Sequence, residues 1–176
     1  MVGAAVSALQ RHGVAGMSFT EVLRDSGAAR GAIYHHFPGG KAQLVAEAAA
    51  ANGADVHANL AGLPGADPVA VITAFLTAVR PVVDASTRGG GCAVAAVTVG
   101  GEDEDLCAVA AAAFGSWSAA LGQRLAAAGV PEAEAADLAT TLIAILEGAH
   151  VLCRAARSLD PFDRAARTIT ALIADR

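Results

Sequence analysis

Arg30, Tyr34, His35 and Lys41 carry the kinds of donor that grip phosphate oxygens and base edges, and they sit within one short stretch of chain. A guanidinium such as that of Arg30 can meet guanine O6 and N7 with paired hydrogen bonds. A phenol such as that of Tyr34 donates to a phosphate oxygen, and Lys41 sits where a helix begins, so that its ammonium and free backbone N–H groups favour the same phosphate. His35 lies around the same side as Tyr34. Gly31 lacks a side chain, so backbone there can approach a base or phosphate closely. Ser18 and Thr20 add hydroxyls for the same backbone, while Ile33 and Phe37 would anchor the short helix from within. The plainer alternatives are that Arg30 is a solvated charge and Tyr34 a packing residue; His36 reads as packing and hydrogen bonding. The chemistry in prospect is recognition of double-stranded DNA. Bond-making chemistry has no footing: no Gly-rich phosphate loop, HExxH, GxSxG or paired metal-ligand motif occurs. Cys92, Cys107 and Cys153 are odd in number, widely spaced and without a CxxC pair. That argues against a disulfide framework and a zinc site, and for a reducing cytoplasm; no cofactor is expected.

These groups need helices to position them. Apolar residues make up 55% of the 176, yet only 4% are aromatic, so alanine carries much of the share. Alanine is the best helix former and is depleted in strands, which predicts an all-α protein. Val2, Ala5, Val6 and Leu9 mark the buried face of a first helix, closed by Gly13. Ser18-Phe19-Thr20-Glu21 fits a capping box opening a second helix. Gly27-Ala28-Ala29 then turns into a short third helix from about Arg30 to His36, and Pro38-Gly39-Gly40 breaks the chain. Helix, tight glycine turn, short helix is the layout of a helix-turn-helix. A fourth helix starts near Lys41. Asp67-Pro68 starts a fifth, which Pro81 should kink or end. Cys92 to Val99 is ambiguous between helix and strand. Glu102 to Asp105 opens a seventh helix, Pro131 with Glu132 and Glu134 an eighth, and Asp160-Pro161 a ninth.

The net charge is −5, but it is unevenly spread. Residues 1–47 hold Arg11, Arg24, Arg30 and Lys41 against Glu21, Asp25 and Glu47, a net +1, and the rest holds −6. The N-terminal segment therefore permits a polyanion and the remainder does not attract one. Met1-Val2-Gly3-Ala4 lacks the charged start of a signal peptide, and Arg80, Arg124, Glu147 and Arg154 interrupt the long apolar stretches, so neither export nor a clean membrane span is expected.

Residues 18–44, SFTEVLRDSGAARGAIYHHFPGGKAQL, closely resemble the DNA-binding segment of the TetR family of bacterial regulators. The match includes Gly31-Ala32-Ile33-Tyr34-His35-His36-Phe37, followed by Lys41 and Leu44 at the family's spacing. The resemblance implies a nine-helix fold: a helix-turn-helix domain over residues 1–46 and a helical ligand-binding and dimerisation domain over 47–176. It also implies a homodimer on palindromic operator DNA, released by a small-molecule inducer. Two departures stand out. Ala29 replaces a frequent Ser or Thr of the DNA-binding set, which predicts a missing cap and phosphate contact. The first helix opens almost at Met1 without a basic arm, which predicts weaker non-specific affinity or a start further upstream.

Beyond the fourth helix, Gly91-Cys92-Ala93-Val94-Ala95-Ala96-Val97, Phe114-Gly115-Ser116-Trp117 and Glu147-Gly148-Ala149 resemble the LmrA/YxaF-like branch. The branch implies that helices eight and nine pair with a partner's, with Leu142, Leu146, Ala149, Leu152, Ile169 and Ile173 at the interface. The alternative is that these stripes are intrachain core. Phe75, Val79, Phe114 and Trp117 are candidate walls of an effector pocket. His150 and Arg154, one turn apart, could hold a polar or acidic ligand group. A histidine on an apolar helix more often is a satisfied core residue.

Overall fold

The computed structural model describes residues 1–99 and 103–174. Among them are nine helices and no strand: α1 (Val2–Gly16), α2 (Phe19–Ser26), α3 (Ala32–His36), α4 (Gly40–Ala61), α5 (Pro68–Thr87), α6 (Ala93–Ala96), α7 (Glu104–Ala127), α8 (Glu132–Ala156) and α9 (Asp160–Ala174). The all-α expectation holds. The ambiguous stretch after Cys92 is the short helix α6, with the Cys92 Sγ accepting from the Ala95 N–H at 3.3 Å. Glu102 lies outside the described residues.

The chain forms two compact units, Met1–Asp55 with Cys92–Ala113, and Val56–Gly91 with Phe114–Arg176. The long helices α4 and α7 contribute residues to both. In the first unit α1 packs against α2 and α6. Ala5, Leu9, Val22, Ile33, Phe37, Leu44 and Val94 are buried there. Gly13 interrupts α1 with φ 65 and ψ −175, a conformation open essentially to glycine alone. Gly27 ends α2 in the left-handed region at φ 67. Gly53 of α4 lies so close to α7 that a Cβ there would stand 2.9 Å from the Ala113 Cβ.

In the second unit α5, α8 and α9 pack on one another. Phe75, Trp117, Leu121, Leu125, Leu142 and Phe162 are almost wholly buried. The Asp67 side chain caps α5 by accepting from the Ala70 N–H at 2.8 Å. Pro81 does not end α5, which runs on to Thr87. Burial of Ile72, Phe75, Val79 and Val83 along one stripe outweighs the one backbone hydrogen bond that proline removes. Arg124 clamps the loop before α5, donating to the Leu63 and Gly65 carbonyls at 2.9 and 3.3 Å. Arg80 pairs with Asp163, tying α5 to α9. Three helices, α5, α7 and α8, are long and apolar enough to cross a membrane by length and composition, contrary to the reading that their charges interrupt them. Alanine raises hydropathy without widening the buried stripe: Phe75, Trp117 and Leu142 are buried, while Val82, Val151 and Leu152 are exposed.

Three helices in this unit end in the same backbone motif, with one difference. At α5 the Gly90 N–H reaches the Ala85 carbonyl at 3.0 Å, and at α7 the Val130 N–H reaches Leu125 at 3.1 Å. Gly89 (φ 97) and Gly129 (φ 105) take the positive-φ position. At α8 the Ser158 N–H reaches the Cys153 carbonyl at 3.3 Å, and the positive-φ residue is Arg157, at φ 50. A side chain in the left-handed region costs about 1–2 kcal/mol. A cation at an exposed helix C-terminus returns about 0.3–1 kcal/mol.

Candidate nucleic-acid interface

The α2–α3 segment is built from its caps outward. The Ser18 Oγ accepts from the Glu21 N–H at 3.2 Å, which starts α2. The Glu21 carboxylate makes no return bond to the cap. It accepts instead from Arg11 at 3.1 Å and lies 3.1 Å from the His12 ring. Arg11 also reaches Asp25 at 3.2 Å, and Arg24 bonds Asp25 at 2.7 Å. Two carboxylates thus pin α1 to α2. The Arg11 guanidinium holds the Glu21 carboxyl below its ordinary range, and Arg24 does the same for Asp25. This network had little signal in the sequence, because its members lie on different helices and share no period.

Gly27, Ala28 and Ala29 form the turn after α2, and the Ala29 carbonyl accepts from the Ala32 N–H at 2.9 Å to start α3. Ile33 and Phe37 are buried, while Ser18, Thr20, Ala29, Arg30, Gly31, Tyr34 and His35 are exposed. Tyr34 is 67% exposed, yet its ring stands edge-on to Phe19 with centroids 6.1 Å apart. Phe19, unnoticed in the sequence, thus steadies the Tyr34 ring and leaves most of it open to solvent. A Cβ added to Gly31 would meet nothing within 4 Å. Internal packing therefore does not require glycine there. His36 is exposed, with its ring against those of His35 and Phe37. Lys41, half-buried in the first turn of α4, donates to the Ala15 carbonyl at 3.4 Å.

The other candidate residues are placed as follows. Phe75, Val79 and Trp117 are buried and Phe114 half-buried, with Phe114 and Trp117 rings edge-to-face at 5.1 Å. His150 is buried and hydrogen-bonded to the Ser86 Oγ at 2.7 Å, whereas Arg154 is exposed, so the two are not brought together. Burial lowers the His150 pKa to about 4. Leu142, Leu146, Ala149 and Ile169 are buried within the chain itself. Ile173 is half-buried, and Leu152 is 58% exposed. The neighbouring Val151 and Leu172, not singled out in the sequence, are 67% and 60% exposed.

A helix-turn-helix with buried anchors and outward polar groups, joined to an all-helical remainder, defines a class of DNA-binding regulators. Residues 2–48 match the model of bacterial regulatory proteins of the tetR family, and residues 68–168 match the C-terminal domain of LmrA/YxaF-like transcriptional regulators. An HTH-type transcriptional regulator of Mycobacterium tuberculosis, strain H37Rv, is 34% identical over 98% of this chain and 92% of its own. The HTH-type transcriptional regulator LmrA of Bacillus subtilis is 28% identical over 92% of this chain and 88% of its own. A TetR transcriptional regulator of Chloroflexus aurantiacus, solved as a crystal structure, superposes with a TM-score of 0.80 at 28% identity, covering 99% of this chain and 92% of that one. The chain belongs to the TetR family of transcriptional regulators, in its LmrA/YxaF-like branch. It is a helix-turn-helix DNA-binding protein and not an enzyme.

Proposed function

We propose that this protein is a cytoplasmic repressor that binds palindromic operator DNA as a homodimer and is released by a small-molecule inducer. The outward display of Arg30, Tyr34 and His35 over the buried anchors Ile33 and Phe37 carries the reading. Arg30 reads a base edge. Ser18, Thr20, Tyr34 and Lys41 hold the DNA backbone, and His35 lies beside them. Ala29 and Gly31 let backbone approach, and the open space around Gly31 supports this, since only an outside partner would contest it. Residues 1–46 form the DNA-binding domain, and residues 47–176 bind effector and dimerise.

The dimer forms through α8 and α9. Gly148, where a Cβ would meet nothing within 4 Å, and the exposed Val151, Leu152 and Leu172 support that face, with Ile173 at its edge. Leu142, Leu146, Ala149 and Ile169 lie beneath it and brace the pairing helices. Effector enters among Phe75, Val79, Phe114 and Trp117, near His150 and Arg154, by opening side-chain packing. Two recognition helices must stand about one DNA turn apart, roughly 34–36 Å, to bind together. An inducer that prefers another spacing by about 1–3 kcal/mol shifts the population off DNA, with α4 as the lever.

Anisotropy titration against the DNA upstream of the protein's own gene, at several salt concentrations, tests this. Arg30→Ala should weaken binding by about 1–3 kcal/mol and relax the base preference at one position of each half-site. Equal weakening on every sequence would reduce Arg30 to a backbone contact. No saturable binding at low salt would end the proposal.

A further inference from the structure

Tyr34 is the single tyrosine of the chain, and 67% of it is open to solvent on α3. Among the described residues no protein group takes a hydrogen bond from its phenol, which leaves the hydroxyl for an outside acceptor. A side chain so exposed on a helix of five residues would ordinarily exchange among staggered rotamers. Gripping a phosphate would then cost that rotamer freedom, a cost that a ring ordered beforehand avoids.

The order comes from α2. Phe19, the first residue of that helix, meets Tyr34 edge to face, with the ring planes at 87° and the centroids 6.1 Å apart. Two aromatic quadrupoles favour this arrangement at this separation. The ordinary explanation of a phenylalanine here would be core packing, but its burial argues otherwise. Phe19 is only half-buried, whereas Val22, Ile33 and Phe37 are the buried anchors of the same helices. Its neighbours Ser18 and Thr20 are both exposed, and both are among the groups proposed to hold the DNA backbone. Phe19 has no donor of its own to offer a phosphate. A large apolar ring between two such hydroxyls is explained by the ring it touches, across the Gly27 turn.

We infer that Phe19 is a positioning residue for DNA binding: from α2 it orders the Tyr34 ring on α3, so that the phenol faces a backbone phosphate before DNA arrives. The inference rests on the proposed operator-binding surface and adds a residue that proposal does not use. Phe19 acts through a backbone contact, so its effect falls equally on all sequences. It involves no cation, so the salt dependence of binding stays as it is.

Two measurements on the full chain test it. Ring-labelled tyrosine gives one set of resonances, which report Tyr34 alone. In the free protein the Phe19 ring current should displace them, and Phe19→Leu should abolish the displacement. Anisotropy titrations then compare DNA upstream of the protein's own gene with a scrambled duplex of equal length. Phe19→Leu should weaken binding to both by about three- to tenfold, the worth of one aromatic pair. Tyr34→Phe keeps the ring and removes the hydroxyl. In that background Phe19→Leu should change affinity by less than about twofold, because the two residues act as one unit. A merely structural role would lower affinity by the same factor in both backgrounds. Phe19→Met, equally ringless, repeats the test should leucine impair folding. Tyr34 resonances unmoved by loss of the Phe19 ring, an undiminished effect in the Tyr34→Phe background, or an altered base preference would each overturn this inference while wild-type binding stands. Absence of wild-type binding would overturn the operator proposal and this inference with it.

Discussion

His150 illustrates how a polar side chain is accommodated in an alanine-rich core. Its ring is buried against α5 and its Nδ1 shares a hydrogen bond with the Ser86 Oγ. Burial holds the pKa at about 4 against an ordinary 6.5. Because the folded value is lowered, the unfolded chain takes up the proton first as pH falls. The contribution is intact above pH 6.5 and declines through the interval down to about 4, by roughly 3 kcal/mol in all. Urea unfolding of the wild type and His150→Gln at pH 7 and 4.5 should give a shallower pH dependence for the variant. Parallel profiles would show that His150 does not titrate in this way. Ser86→Ala would strand the buried imidazole nitrogen and cost about 1–3 kcal/mol at pH 7, measured by the same unfolding curves. The spacing of His150 and Arg154 put both on one side of a helix, but α5 covers only the first. An interval of four residues defines a helical stripe and says nothing of where its edge lies.

At the scale of the element, the caps were legible. Ser18, Gly27, Asp67 and Gly129 stand where helix ends require a side-chain acceptor or a positive φ. Gly27 holds the turn between α2 and α3, so Gly27→Ala should destabilise the protein by about 1–2 kcal/mol. It should also weaken operator binding beyond what the stability loss explains, since α3 is re-aimed. Thermal unfolding and the anisotropy titration check the two parts. An alanine variant with unchanged stability would show that the turn tolerates another backbone conformation. Half of the capping box behaved differently from its sequence pattern. Glu21 serves the ion pairs with Arg11 and His12 because those partners arrive from α1, which no local motif encodes. Pro81 likewise escapes its local rule, because packing along α5 outweighs one missing backbone bond.

At the scale of the whole molecule, the proposed dimer concentrates on a face that a single chain leaves apolar. Leu152→Glu alters a side chain 58% exposed in the monomer, so its melting temperature at high dilution should stay near that of the wild type. In sedimentation equilibrium the variant should be monomeric at micromolar concentrations where the wild type is a dimer. It should also lose most operator affinity, because one recognition helix alone forfeits the second half-site. A wild-type monomer in that experiment would remove the basis for two-fold operator recognition. Four of the apolar residues expected at the interface, Leu142, Leu146, Ala149 and Ile169, are buried within the single chain. Their stripe is the stronger one in the sequence, and a single chain has first need of it for its own folding.

The order of residues alone determined the helical class, the helix-turn-helix, the turn glycine and the outward set from Arg30 to His35, because periodicity, caps and a long contiguous motif are local properties of the chain. Tertiary structure decided which apolar stripe is spent inside the protein, and that His150 turns in while Arg154 turns out. Those outcomes depend on which helices become neighbours. In a chain so rich in alanine, many pairings bury similar area, so only the assembled fold tells them apart.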